Sequence, residues 1–196
     1  MSQAQLIDLT GKIAFVSGAS RGIGEAIAHL LAQQGAHVIV SSRKQEGCQQ
    51  VADAIVAAGG QTTAIPCHIG ALERISQAFA AIRQQFVRLD ILVNNAATTP
   101  QFCNVLSTAP AALQNPVAVH PRGYFFLSVA ARNLMRAPAT ASILRLASLH
   151  APPPAPHPGL PPAPSSALTN TIPPLRHPCA PLGHPPLAPL PPRPRP

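Results

Sequence analysis

Ile13-Ala14-Phe15-Val16, followed by Ser17-Gly18-Ala19-Ser20-Arg21-Gly22-Ile23-Gly24, is the stretch whose reading decides the fold. Its first four residues form a short β-prone run that stops at Ser17-Gly18. Beyond it, Ile23, Ala26, Ile27, Leu30 and Leu31 recur at the i, i+3, i+4, i+7, i+8 spacing of one apolar helix stripe. Gly35 closes that helix as a C-terminal glycine does. His37-Val38-Ile39-Val40 reads as a second buried strand. Residues 45–58 read as a helix stopped by Gly59-Gly60. Thr62-Thr63-Ala64-Ile65 then gives a third strand, residues 71–86 a third helix, and Ile91-Leu92-Val93 a fourth strand ending at Asn94-Asn95. Strands alternating with helices of this length predict βαβ units and a doubly wound, Rossmann-type parallel α/β sheet.

Past residue 100 the pattern continues in damaged form. Tyr124–Met135 reads as helix, and Ala141–Ala147 as a fifth strand, for an incomplete sheet of about five strands. Pro110, Pro116 and Pro121 fall where a long helix is expected, and an interior proline costs about 3 kcal/mol. From Ala151 onward regular structure is not expected: 19 of 46 residues are proline, and Val, Phe, Tyr, Met, Asp, Glu, Lys and Gln are absent. Such a composition cannot bury enough apolar surface to offset chain entropy, and reads as a disordered, polyproline-like tail. The expected division is a nucleotide-binding domain over 1–150 and a proline-rich tail over 151–196.

Charge is as uneven as proline. Residues 1–90 carry two Lys and five Arg against six acids, whereas residues 91–196 carry seven Arg and neither an acid nor a Lys, which leaves the chain at +8. The basicity reflects missing acids rather than added bases. The arginines are scattered, and the nearby aromatics sit in apolar runs such as Tyr124-Phe125-Phe126, so a nucleic-acid groove with stacking platforms is not expected. Cys48, Cys67, Cys103 and Cys179 show neither a C-x-x-C nor a zinc spacing, and no metal site is expected. No signal-like segment opens the sequence, and no apolar run approaches a membrane span of about 18 residues. A cytoplasmic protein with no membrane partner is the expectation.

Gly18, Gly22 and Gly24 make a G-x3-G-x-G turn, with Ser20, Arg21 and Ile23 between them. Glycines let backbone turn sharply and approach a pyrophosphate, whose charge then sits at the N-terminus of the next helix. A strand before the turn and an amphipathic helix after it are the context that gives such a triplet weight. The pattern resembles the short-chain dehydrogenase/reductase family, whose fingerprint is T-G-x3-G-I-G; Ser17 keeps the hydroxyl of its threonine. Leu92-Val93-Asn94-Asn95-Ala96-Ala97 resembles the family's N-N-A-G at the end of strand four. Weaker likeness extends through Arg122–Phe126 and Ser142–Ser148, so the resemblance covers about three-quarters of the chain, as a C-terminally truncated or degenerate member.

The resemblance implies a nicotinamide dinucleotide at the glycine turn, at Asn94, Asn95, Ala96 and Ala97, and at the ends of strands two and three. An acid at the end of strand two would bond the ribose 2′-OH of NAD and repel a 2′-phosphate. Here Ser41-Ser42-Arg43-Lys44 stands instead, so NADP(H) is favoured over NAD(H), with Arg43 and Arg21 as forks for the phosphate and Ser42 beside them. After strand three the family's Asp position is His68, leaving adenine to His68 and the backbone of Ile69.

Carbonyl reduction needs an acid to hand a proton to oxygen as hydride arrives. The family uses a Tyr whose pKa is lowered by a Lys four residues on, a Ser that polarises the substrate and an Asn in the preceding helix. Ser148 stands at the serine position. The tyrosine position is Pro161 and the lysine position Ser165; the last lysine is Lys44 and the sole tyrosine is Tyr124, which reads as core. The relay asparagine position is His120, read as incidental beside Pro121. Activity is therefore expected to be lost or severely reduced. The tail also stands where the family builds its pocket lid and homo-oligomer interface, so neither a substrate nor that interface is expected to be legible. Accumulated substitution and a shifted reading frame both give such a tail: Gly159-Leu160 and Ala167-Leu168 keep family-like pairs, and the abrupt loss of whole residue types fits the second. A separate reading is a non-enzymatic interaction protein whose P-x-x-P segments, best at Pro192-Arg193-Pro194-Arg195-Pro196, recruit a partner to a nucleotide-binding scaffold.

Overall fold

In the computed structural model, residues 7–98, 117–135 and 141–146 are described. Strands β1 (Ile13–Ser17), β2 (His37–Ser41), β3 (Gln61–Ala64), β4 (Ile91–Asn94) and β5 (Ser142–Arg145) alternate with helices α1 (Gly22–Gln33), α2 (Gln45–Ala57), α3 (Leu72–Gln85) and α4 (Tyr124–Arg132). The five strands form one sheet in the order β3-β2-β1-β4-β5, every pair parallel. Ser17 pairs with Ser41, Val16 with Val93, and Asn94 with Arg145. The doubly wound Rossmann-type sheet expected from the sequence is the observed fold, and its elements end within one to three residues of the expected limits.

Two cores flank the sheet because alternate residues of each strand face opposite sides. Phe15, Ile39 and Leu92 meet Phe79 and Ile82 of α3 and Leu127 of α4 on one face. Ala14, Val16, Val38, Val40 and Val93 meet Ala28 and Ala32 of α1 and Val51 and Ile55 of α2 on the other. Central strands buried on both faces need apolar residues throughout, which explains the unbroken runs in β1 and β2.

Of the apolar stripe of α1, Ile27 and Leu31 are partly buried against the sheet, while Ile23 is 66% and Leu30 55% exposed; the fully buried residues are Gly24, Ala28 and Ala32, one turn apart. Small side chains let the helix axis come close to β1 and β2. One local expectation changes: Pro121 does not end the helix. Ala118–Gly123 form a π-type turn that contains Pro121 and runs directly into α4. The wider turn releases the carbonyl that a proline ring would otherwise strike. Pro110, Pro116, Ser148 and the tail 151–196 lie outside the described residues.

Candidate functional site

The chain reverses direction across the sheet between β1 and β4, so the crevice beyond the carboxyl ends of those strands is the switch point where open α/β sheets take ligands. Ser17 pins the two strand ends together. Its buried hydroxyl donates to Val93 O (3.1 Å) and accepts from the backbone N–H of Asn95 (3.0 Å) and Ala96 (3.2 Å). Asn95 completes the brace from the other side, its amide Nδ2 donating to the carbonyls of Ser17 (3.1 Å) and Gly18 (3.0 Å).

The glycine turn is shaped by this closeness. Gly18 has φ +69°, and a Cβ there would stand 2.6 Å from Ala96 Cα. A Cβ on Gly24 would collide with Asn95 Nδ2 and the Gly18 carbonyl. Beside Gly22, by contrast, there is open space. Arg21 is the N-cap of α1 in extended conformation and makes no side-chain cap hydrogen bond to the first amides of the helix. Uncapped amides at the positive end of a helix favour an anion, and a diphosphate suits a turn without side chains. Arg21 and Ile23 are exposed at its lip. The turn is tied to β2 by Ala19 N donating to Ser41 O (2.9 Å), and Ser20 packs on Gly47 in the first turn of α2.

At the end of β2, Ser42 Oγ donates to Lys44 O (3.3 Å) and lies 3.3 Å from Cys48 Sγ, while Arg43 and Lys44 are exposed. Cys67 N donates to Ser42 O (2.8 Å), which carries the β2–β3 pairing past the strands. Cys48 and Cys67 are free buried thiols, and burial, with Cys48 nearby, pushes the Cys67 thiol up to about 12. Such a thiol is inert at neutral pH. His68 is exposed, and its Nδ1 accepts from Gly70 N (3.0 Å) in a local turn. The Ile69 side chain is buried, which leaves only its backbone for a ligand. Arg122, in the π-type turn, donates to Gly70 O (2.9 Å) and holds this loop in place.

At the end of β4 the four expected residues divide. Asn94 is fully buried, and its Nδ2 donates to Ser128 Oγ (3.2 Å), whose own hydroxyl donates to Tyr124 O (2.7 Å). Asn95 and Ala96 are half-buried, and Ala97 is exposed. Tyr124 is buried and its hydroxyl donates to Ala96 O (2.7 Å). Burial pushes that phenol up to about 12, against a small opposing effect of Arg145. A phenol so placed braces the loop and is matched in pKa to no proton transfer near neutrality. His120 Nε2 lies 3.3 Å from Thr98 O and its ring meets Tyr124 edge-on.

Tyr124 and Arg122 are braces that the sequence did not single out, and Ser17, marked there only for its hydroxyl, is a third. A hydroxyl immediately before the first glycine was the available signal for Ser17. Nothing in the spacing joins residue 122 or 124 to loops 70 and 96. Among the described residues no cluster of His, Cys, Asp or Glu is arranged to hold a metal, and no helix is long and apolar enough to cross a membrane.

Comparison with known proteins is consistent with this arrangement. The model of the short chain dehydrogenase family matches residues 12–160. Over 98 residues the chain is 40% identical to Dehydrogenase/reductase SDR family member 4 of Mus musculus, covering 50% of this chain and 35% of that one. The rabbit (Oryctolagus cuniculus) protein of the same name is 43% identical over 94 residues, 48% of this chain and 36% of that one. The match thus spans about a third of the length of these curated relatives. Among solved structures, a metagenomic short-chain oxidoreductase in complex with NADP superimposes with a TM-score of 0.76 at 30% identity, covering 86% of this chain and 78% of that one. A Serratia marcescens short-chain dehydrogenase/reductase gives 0.74 at 33% identity, covering 83% and 66%.

Proposed function

The chain belongs to the short-chain dehydrogenase family, an oxidoreductase family that binds nicotinamide cofactors, and we propose that it binds NADP(H) in preference to NAD(H) without sustaining turnover. The observation that carries the cofactor reading is the N-terminus of α1 behind a glycine turn, where the Arg21 N-cap makes no side-chain cap hydrogen bond; exposed Arg43, with no acid beside it, follows β2. Gly18, Gly22 and Gly24, with Ser20 and Ile23, hold the diphosphate on the first amides of α1. Arg43 forms a fork on the ribose 2′-phosphate, with Ser42 beside it and Arg21 approaching from the turn. His68 and the backbone of Ile69 border the adenine. Asn95, Ala96 and Ala97 border the nicotinamide half, and Asn94 acts behind them by anchoring the β4 end to α4. The cofactor supplies a hydride when bound; the proton is the missing part.

Pro161 and Ser165 stand where the family has its tyrosine and lysine, so Ser148 is left to polarise a carbonyl with no acid beside it. His120 and Tyr124 are engaged with the 96–98 loop and do not replace that acid. In this reading residues 1–150 are the nucleotide-binding domain and 151–196 a separate tail.

The test is a pair of equilibrium titrations of NADPH and NADH on the purified full chain and on Arg43→Ala. NADPH is expected to bind more tightly, and Arg43→Ala to weaken it about 10- to 100-fold, the value of one charge-assisted fork, while NADH changes little. Equal losses for both cofactors would overturn the 2′-phosphate assignment. No NADPH oxidation is expected with aldehydes or ketones; turnover that follows the protein through purification would overturn the loss of catalysis.

A further inference from the structure

Among the described residues, the α1 side of the sheet is covered unevenly. On that face α1 packs chiefly on β1 and β2, and α2 on β2 and β3; the principal packing of β5 is on β4. His29, Ala32 and Gln33 of α1 turn toward Ile55 of α2 and Ala58 just beyond it across a small cleft. Ile23, Ile27, Leu30 and Leu31 therefore line the opposite flank, the one that overlooks β4 and β5. Ile27 and Leu31 are half-buried there, as are Ile91 and Leu146 on the sheet, while Leu144 is 49%, Leu30 55% and Ile23 66% exposed. The result is an apolar trough with α1 as its wall and Ile91, Leu144 and Leu146 as its floor.

We propose that this trough is the seat of the chain's own leucine-proline segment Pro185-Pro186-Leu187-Ala188-Pro189-Leu190-Pro191-Pro192. The described chain leaves the sheet at Leu146, which packs on this face and donates its N–H to Asn94 O (3.0 Å). Fifty residues follow, more than enough to return to the trough. Prolines lack the N–H needed to extend β5 as a sixth strand, so the segment meets the face through side chains. In a polyproline helix of three residues per turn, Leu187 and Leu190 lie on one side, one turn apart. The 12 residues of α1 span about 18 Å; about six residues at roughly 3.1 Å each cover that length. The segment carries no acid, and the trough residues named above carry no charge, so the match is one of apolar surface. A second copy fits less well, because each chain carries a net +8 and two such chains repel.

The experiment places the photoreactive residue benzoylphenylalanine at position 30 and, in a second preparation, at position 144 of the full chain. After irradiation the products are sized and their cross-linked peptides mapped. A monomer-sized product joined to residues 185–192 from both positions is expected. Leu187→Asp together with Leu190→Asp, changes outside the described residues, should then reduce the cross-link at least fivefold and raise the fluorescence of an apolar-surface dye. A dimer-sized product, a cross-link to another part of the chain, or none at all overturns the proposal.

Discussion

The seam between β1 and β4 is closed at both ends, and by opposite chemistry. At the amino end Asp90, buried to 4% side-chain exposure, accepts Ile13 N–H (3.0 Å), is paired with Arg88 and lies 3.8 Å from Lys12 Nζ. At the carboxyl end Ser17 and Asn95 make five hydrogen bonds to backbone groups without a formal charge. Each end holds the same two strands in the same register. The difference lies in what each faces. A carboxylate is tolerated at the amino end because two bases neutralise it. At the carboxyl end a fixed negative charge would oppose the anion that the α1 N-terminus favours, so a neutral hydroxyl and amide do the equivalent task there.

Breaking the charged end should cost most. Asp90→Ala leaves Arg88 and the Ile13 N–H without their acceptor, and an unfolding titration should show a loss of about 3 kcal/mol. A loss below about 1 kcal/mol would mean that desolvation of the carboxylate cancels its bonds and that the two ends contribute alike. At the neutral end, Gly24→Ala forces a methyl into Asn95 Nδ2 and should cost about 2 kcal/mol. It should also weaken NADPH, which separates it from Asp90→Ala, where cofactor affinity per folded molecule is expected to hold. Ser17→Ala should cost between about 1 and 2 kcal/mol, since Val93 O and the two amides lose a shared partner; Ser17→Thr, which keeps the hydroxyl, should restore most of it.

Acid separates the ends further. Burial pushes the Asp90 carboxyl up, but Arg88, the Ile13 amide and Lys12 outweigh it and hold the group below its ordinary value. The unfolded chain therefore takes up this proton first as pH falls. The Asp90 contribution is fully present above the ordinary carboxylate range and fades below about pH 4. Thermal melts of Asp90→Asn should lose that slope, whereas melts of Ser17→Ala should keep it. The smallest effect belongs to His37, which bonds Thr63 Oγ1 (2.9 Å) and meets Phe86 edge-on. Burial lowers its pKa, partly opposed by Gln61, so its contribution is present above about pH 6.5 and shrinks as pH falls through that value. His37→Gln should flatten the melting temperature slightly between about pH 5 and 7.

The strands, helices and glycine turn were legible because each is a local pattern: period in the helices, unbroken apolar runs in β1 and β2, and three glycines between them. Within α1, periodicity reports which residues share a face but not which of them come closest to the sheet: Ile27 and Leu31 of the stripe pack partly on the core, while the smallest residues, Gly24, Ala28 and Ala32, are the fully buried ones. Pro121 was judged by its cost in an α-helix, and a π-type turn changes that cost without leaving a mark in composition. Asn94 was grouped with its neighbours as a ligand residue, whereas strand alternation turns its side chain inward to Ser128.

By itself, then, the sequence determined the parallel α/β order, the place of the anion-favouring turn, the absence of an acid after β2 and the absence of a tyrosine-lysine pair. All of these reside in one residue or in a spacing of a few. Tertiary structure alone decided that Ser17 and Asn95 hold the turn against β4, that Arg122 and Tyr124 brace loops 52 and 28 residues away in sequence, and that Gly24, Ala28 and Ala32 are the residues of α1 buried against the sheet. Those outcomes depend on distances between elements far apart in the chain, and such distances exist only once the sheet has brought the elements together.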